Sequence, residues 1–212
     1  MCSKIKYVIG TQPHVQWALF AWQEVEPDTE YCLVEINQDS GYRFDLKKLD
    51  DLPRGQCTAF VAQNAQFLNF RRYELMAELK ARGFSMPPLI EKGAIIASTA
   101  KVSENSWIGA GAILGQACTI GFNTVIGSGA NIGHGAKVGN SVWIEAGVLV
   151  GPNARIGTHT TLGQGIIVAA GVDVEKQVIL EKPGKITDNV LGGTFTHENF
   201  DEPIVIVNVK SA

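Results

Sequence analysis

A solenoid of short parallel strands, preceded by a small α/β unit and followed by a tail, is the mainly β fold class this sequence predicts. Three observations carry the expectation. An aliphatic residue recurs every six positions from Ile90 to Ile186, glycine follows many of these aliphatics, and strand-like and helix-like runs alternate before residue 87.

The repeat is the strongest of the three. All seventeen positions of the count (Ile90, Ile96, Val102, Ile108, Leu114, Ile120, Ile126, Ile132 and onward to Ile186) are aliphatic. At an even chance of an apolar residue, such a run arises in about one register in 10⁵. Gly109, Gly115, Gly121, Gly127 and Gly133 follow their aliphatics directly, and small residues such as Ala112, Cys118, Ala130 and Ala136 hold the fifth place of the unit. A period of six fits neither a helix at 3.6 nor an alternating strand. It fits short strands separated by turns, with the large aliphatic inside and glycine where a Cβ would collide. Three units close a triangular coil, so residues 18 apart stack at the strand spacing of ~4.8 Å. The solenoid is expected over residues 87–190, an α/β unit over 1–86 and a tail over 191–212.

Before the repeat, Lys4 to Gly10 reads as a buried strand ending at a glycine, and Pro13 to Trp22 as a helix. Tyr31 to Ile36 and Thr58 to Ala62 read as further strands. Arg71 to Arg82 has helical spacing through Leu75, Met76 and Leu79, with Gly83 as its C-terminal cap. Strands alternating with helices imply a parallel sheet. Met86, Pro87 and Pro88 mark the passage into the solenoid. Past it, Gly192 and Gly193 end the repeat, and the strand-like run Ile204 to Val209 is placed to cover its open end.

Composition narrows the function. With 45% hydrophobic and 18% charged residues the chain builds a real core, and a net charge of −3 argues against a nucleic-acid partner. Cys2, Cys32, Cys57 and Cys118 are scattered and form no CxxC pair, so free thiols in a reducing compartment are expected. The first ten residues are too short and polar for a secretory signal, and no stretch reaches the ~20 apolar residues of a membrane span. A cytoplasmic protein is expected. No metal is expected either: zinc needs three ligands, and only His134 and His159 lie in the repeat, 25 residues apart, which is no whole number of coils.

The repeat, centred on Gly121, Ile126, Ile132, Gly133 and His134, resembles the left-handed parallel β-helix acyltransferases of hexapeptide repeats. With a small Rossmann-like α/β subdomain in front, the layout from residue 5 to residue 186 resembles one subgroup. These are the sugar acyltransferases related to the sialic-acid O-acetyltransferase and the bacillosamine and perosamine N-acetyltransferases. The resemblance implies the left hand of the coil, acetyl-coenzyme A as co-substrate, a sugar acceptor and a homotrimer with active sites between subunits. It implies that His134 of Ile132–Gly133–His134 is the catalytic base, a task imidazole suits at neutral pH. By position it implies coenzyme A contacts at Trp143, Gln164 and Lys182, and acceptor contacts at Gly10, His14 and Asn64. His159 reads as a surface turn residue. Trp107 and Trp143, 36 residues apart, form a column that is a ligand wall or a subunit interface.

Three positions depart from the pattern. The acidic residue that usually follows the histidine is Gly135, the second histidine nine residues on is Trp143, and the oxyanion amide one coil below is Pro152, which has no N–H. The expectation is acetyl transfer to a sugar, most readily a nucleotide-linked amino sugar, in surface polysaccharide or glycan biosynthesis. Two alternatives stay open: a non-catalytic hexapeptide-repeat trimer, favoured by those three departures, and an O-acetyltransferase of a sugar that is not nucleotide-linked. A nucleotidyltransferase is disfavoured, since the part before the repeat is short for that domain.

Overall fold

The computed structural model describes residues 5–52 and 57–206. Strand β1 (Ile5–Gly10) leads into α1 (His14–Val25), then β2 (Glu30–Glu35), a short α2 (Lys47–Asp50), β3 (Thr58–Ala62) and α3 (Phe70–Ala81). The strands form a parallel sheet in the order β2-β1-β3. These are the elements expected, with α1 running three residues further than expected and α2 too short to leave a periodic signal. Gly83, at φ +88°, closes α3 as its position implies. Lys4 lies outside the described residues.

From Leu89 onward the chain winds into short strands that pair in parallel with the strand 18 residues on: Trp107 with Val125, Asn131 with Leu149, Lys137 with Arg155. Three sheets result, of eight, six and five strands. The repeat aliphatics line the inside, Ile108, Leu114, Ile126, Ile132 and Ile144 all buried, and small residues such as Ala130 and Ala136 pack beside them. The coil does not stop at Ile186 as the six-count implies. Val190 bridges Val174, and Thr194–Thr196 pairs with the strand of Ile179 and Leu180 through Ile179–Phe195, each 16 residues on. Two residues missing from the turn after Ile186 break the count but not the coil. The tail then folds back as an antiparallel strand, Ile204–Val205, extending one sheet beyond the last coil. Residues 207–209 of the strand-like run lie outside the described residues.

The outward residue of each strand decides what a face does. Face three presents Lys101, Thr119, Lys137, Arg155 and Asp173 to solvent. Face one presents Leu89, Trp107, Val125 and Trp143, against which the α/β unit packs. Face two presents Ile95, Ile113, Leu149 and Ile167, aliphatic yet 62, 40, 42 and 40% exposed.

The α/β unit is bound to the solenoid by a polar seam. At the corner before face one, Asn105, Asn123, Ser141 and His159 stack at positive φ, a conformation asparagine tolerates. Asn105 donates to Asn123 Oδ1 at 2.8 Å and Asn123 to Ser141 Oγ at 3.1 Å, while Asn105 Oδ1 accepts the Val61 N–H at 2.8 Å. Arg72 of α3 lies buried against this ladder and donates to the carbonyls of Val61, Asn105 and Asn123. His159 is a turn residue but half-buried, not simply on the surface: it stacks on Phe70 at 3.8 Å and donates Nδ1–H to the Leu68 carbonyl at 2.9 Å. The thiols depart from expectation once. Cys32 and Cys118 are free, but Cys57 is disulfide-bonded; Cys2 lies outside the described residues.

Candidate active site

His134 sits at the corner between faces two and three, exposed as its place in the repeat requires. It lines a groove of about 530 Å³ running down face two, with walls of Ile113, Leu149 and Ile167, a floor reaching Pro152, and Asn131 and Lys185 as polar contributors. The backbone around the histidine is held tightly: Gly135 N–H donates to the Gln116 carbonyl at 2.8 Å and Asn153 N–H to the His134 carbonyl at 2.9 Å. Pro152 lies directly against the next coil, since a Cβ on Gly133 would come within 2.5 Å of its nitrogen. The imidazole is held too, with Nδ1 accepting the Gln116 backbone N–H at 2.8 Å. A base facing the groove through Nε2 needs a lone pair there, and this bond places the neutral ring's proton on that same nitrogen.

A second, smaller cavity of about 160 Å³ lies between the α/β unit and face one. His14, Trp17, Trp107 and Trp143 form its walls. His14, at the start of α1, meets Trp17 edge-on at 5.1 Å and Trp143 at 6.1 Å. Trp107 packs on Phe60 at 6.0 Å. The indoles are oriented by carboxylates, Trp107 Nε1 donating to Glu91 and Trp143 Nε1 to Glu145, both at 2.7 Å. The tryptophan column is therefore a seat for the α/β unit and a cavity wall in one. Burial holds the His14 pKa below the usual histidine value, with Arg72 adding to the effect. Its Nδ1 is buried without a hydrogen-bond partner.

The other expected contacts scatter. Gly10 has a structural duty, for a Cβ there would overlap the Ala62 carbonyl of the neighbouring strand. Asn64 accepts from the Gln63 side chain and the Gln66 N–H, both at 3.3 Å, which is the capping of a turn. It belongs to a polar cluster at the carboxyl edge of the sheet in which Gln63 is buried and receives the Thr11 hydroxyl, while Gln66 receives Gln38 at 3.1 Å. Gln164 is exposed at the corner after face one. Lys182, at the same corner one coil on, donates to the carbonyls of Phe200 and Asp201 at 3.3 Å. Neither lines the His134 groove, nor does Trp143. Within one chain, His134 stands at the corner between faces two and three, while Gln164 and Lys182 stand at the corner after face one and Trp143 lies on face one itself. Sequence reading missed the face-two stripe and Lys185. The signal was present: counting by eighteen from Ile95 gives Ile113, Asn131, Leu149 and Ile167, aliphatic at all but Asn131, where face three carries mostly charge.

Among the described residues no cluster of three histidine, cysteine or acidic side chains is placed to hold a metal, and no helix is long and apolar enough to cross a membrane.

No family description and no curated protein matches the chain in sequence. Solved structures do match in shape. The acetyltransferase domain of PglB from Neisseria gonorrhoeae superposes with a TM-score of 0.82 at 20% identity, over 95% of this chain and 100% of that one. A variant of perosamine N-acetyltransferase from Caulobacter crescentus, in complex with CoA and GDP-perosamine, gives 0.76 at 18%, over 92% and 93%. WeeI from Acinetobacter baumannii gives 0.66 at 16%, over 94% and 99%. The solenoid is thus the left-handed parallel β-helix, and the chain as a whole shares its fold with the hexapeptide-repeat sugar acetyltransferases.

Proposed function

We propose that this chain is an acetyl-coenzyme-A-dependent acetyltransferase acting on a sugar, and that the acceptor is an amino sugar carried on a nucleotide. The observation that carries the reading is that the likeness includes both parts of the chain. The α/β unit and the β-helix match together over 92% of the sequence a protein whose structure holds CoA and GDP-perosamine. The groove suits the co-substrate's chemistry. Ile113, Leu149 and Ile167 offer apolar wall to a pantetheine arm, and Lys185 offers a cation toward its phosphates.

The working unit in this reading is a homotrimer. The exposed aliphatic stripe of face two is a surface that calls for a cover, and a second copy of the chain supplies one. It also resolves the separation of the half-sites. The His134 groove of one chain then faces the corner of its neighbour that carries Gln164 and Lys182, beside the face that carries Trp143. An amine acceptor fits the absence of a carboxylate beside His134, because a free amine attacks a thioester without prior loss of a proton.

Mixing experiments test the whole reading. His134→Ala and Trp143→Ala chains, each inactive alone, are unfolded together and reassembled. Recovery of acetyl transfer to a nucleotide-linked amino sugar is expected, since some interfaces regain both intact halves. Failure of the mixture, with an active wild-type control, rejects the shared site. A wild-type chain that binds acetyl-coenzyme A yet transfers to no acceptor favours the non-catalytic alternative, on the strength of Gly135, Trp143 and Pro152.

A further inference from the structure

The imidazole of His134 is committed through one nitrogen. The Gln116 amide hydrogen, fixed in direction by the corner backbone, points at Nδ1 at 2.8 Å. An amide N–H only donates, so Nδ1 must be bare, and the neutral ring keeps its proton on Nε2. Turning the ring over would set a carbon against that N–H and orphan it. Other corners satisfy their amides in the same way: the Phe122 N–H donates to Asn140 Oδ1 at 3.1 Å and the Ala110 N–H to Glu91 Oε2 at 2.8 Å. His134 Nδ1 thus has a structural duty, and Nε2–H is what the ring offers a ligand. Nearby, Pro152 has no amide hydrogen to give, although it lines the same groove.

Resting on the acetyl-transfer reading, we infer that His134 acts as a fixed Nε2–H hydrogen-bond donor to the thioester oxygen, in place of the donor Pro152 lacks, and not as a base. The acceptor amine attacks the thioester carbon, the carbonyl π electrons move to oxygen, and Nε2–H stabilises the oxyanion. The C=O bond re-forms as the C–S bond breaks and coenzyme A leaves as thiolate. The ammonium proton passes to that sulfur, directly or through water, giving an amide and a free thiol. His134 neither gains nor loses a proton at any step. A hydroxyl acceptor, which needs a base, is poorly served by this arrangement.

Two measurements test the inference. Nitrogen NMR of the ring in the wild-type chain with acetyl-coenzyme A present reads the tautomer; the Nε2–H pattern is expected, and an Nδ1–H pattern overturns the inference. Turnover of His134→Gln is then compared with His134→Ala. Glutamine carries an N–H to about the reach of Nε2 but takes up no proton. It should stay within about ten-fold of wild type, while alanine loses ~10²–10³-fold. Equal loss in both overturns the donor role. No transfer by the wild-type chain overturns the acetyl-transfer reading and the catalytic part of this one, while the tautomer spectrum separately upholds or overturns the donor state.

Discussion

Replacing Arg72 with alanine tests what holds the two parts of the molecule in register. The side chain is 1% exposed, and its guanidinium donates to Asn105 O at 2.9 Å, Val61 O at 3.1 Å and Asn123 O at 3.4 Å. It also lies 5.7 Å from the Phe60 ring. No carboxylate among the described residues pairs with it, and burial pushes its pKa down to about 9. Backbone carbonyls and the Phe60 ring are what face the charge, and a hydrogen bond from a charged donor is stronger than a neutral one. Each buried carbonyl left without a partner costs about 1–3 kcal/mol, and water entering the alanine void recovers the weakest of the three. A loss of about 3–5 kcal/mol follows, at the upper end for a single substitution. Arg72→Met keeps the volume of the stem but not the donors, and should lose about 2–3 kcal/mol by the same count. Urea unfolding followed by tryptophan fluorescence reads both. Because Arg72 seats α3 against the corner that precedes face one, the acceptor KM should rise in both variants more than kcat falls. A methionine variant as stable as wild type would refute the argument, since it would show that the three carbonyls do not depend on the guanidinium.

Three further outcomes are expected. Burial lowers the pKa of His14 and His159 below 6.5, so the unfolded chain takes up protons first and acid favours unfolding. Their contribution is complete above pH 6.5 and lost as pH falls through the lower folded values; His159→Asn, which suits the positive φ, should flatten the fall of Tm between pH 7 and 5. Installing the missing carboxylate with Gly135→Glu should not raise turnover, because position 135 has φ +68° and a Cβ there overlaps Asn153 Oδ1; a more active and equally stable variant would contradict this. Leu149→Glu places charge on the exposed stripe of face two without touching the interior, so light scattering should report smaller assemblies with little change in unfolding free energy per chain. A trimer that persists would move the interface to another face.

The solenoid was legible because its physics repeats: one aliphatic in six must fill the prism, and each coil restates the demand that the last one made. The same repetition hid what happens where it lapses. Val190 and Phe195 continue the coil at a spacing of 16, which a strict count of six discards. The seam between the two parts was illegible for a different reason. Arg72 sits in a helix that reads as amphipathic, and its partners are backbone carbonyls, which leave no mark in sequence. His159 looked like a turn histidine because its φ of +59° is a turn conformation, yet the contacts that bury it come from residues 68 to 73.

The departures at the candidate site are easier to understand together than one by one. A carboxylate at 135 would raise the basicity of a histidine whose Nδ1 donates to it. Here Nδ1 accepts from Gln116, and Gly135 turns at a φ that disfavours any side chain. Having no acid to bind, the ring is free to satisfy the corner amide. Having satisfied it, the ring presents N–H where a lone pair would otherwise be. Pro152 removes an amide donor from the same groove. One donor is lost from the backbone and one is gained from the side chain, so the two changes compensate only if they act on the same oxygen. If that is so, Pro152→Gly and His134→Ala should be coupled. Glycine at 152 restores an N–H, and should recover part of the turnover that alanine at 134 destroys while adding little to the wild type. Independent effects, with a product of rates equal to that of the two single changes, would show that the donors serve different atoms.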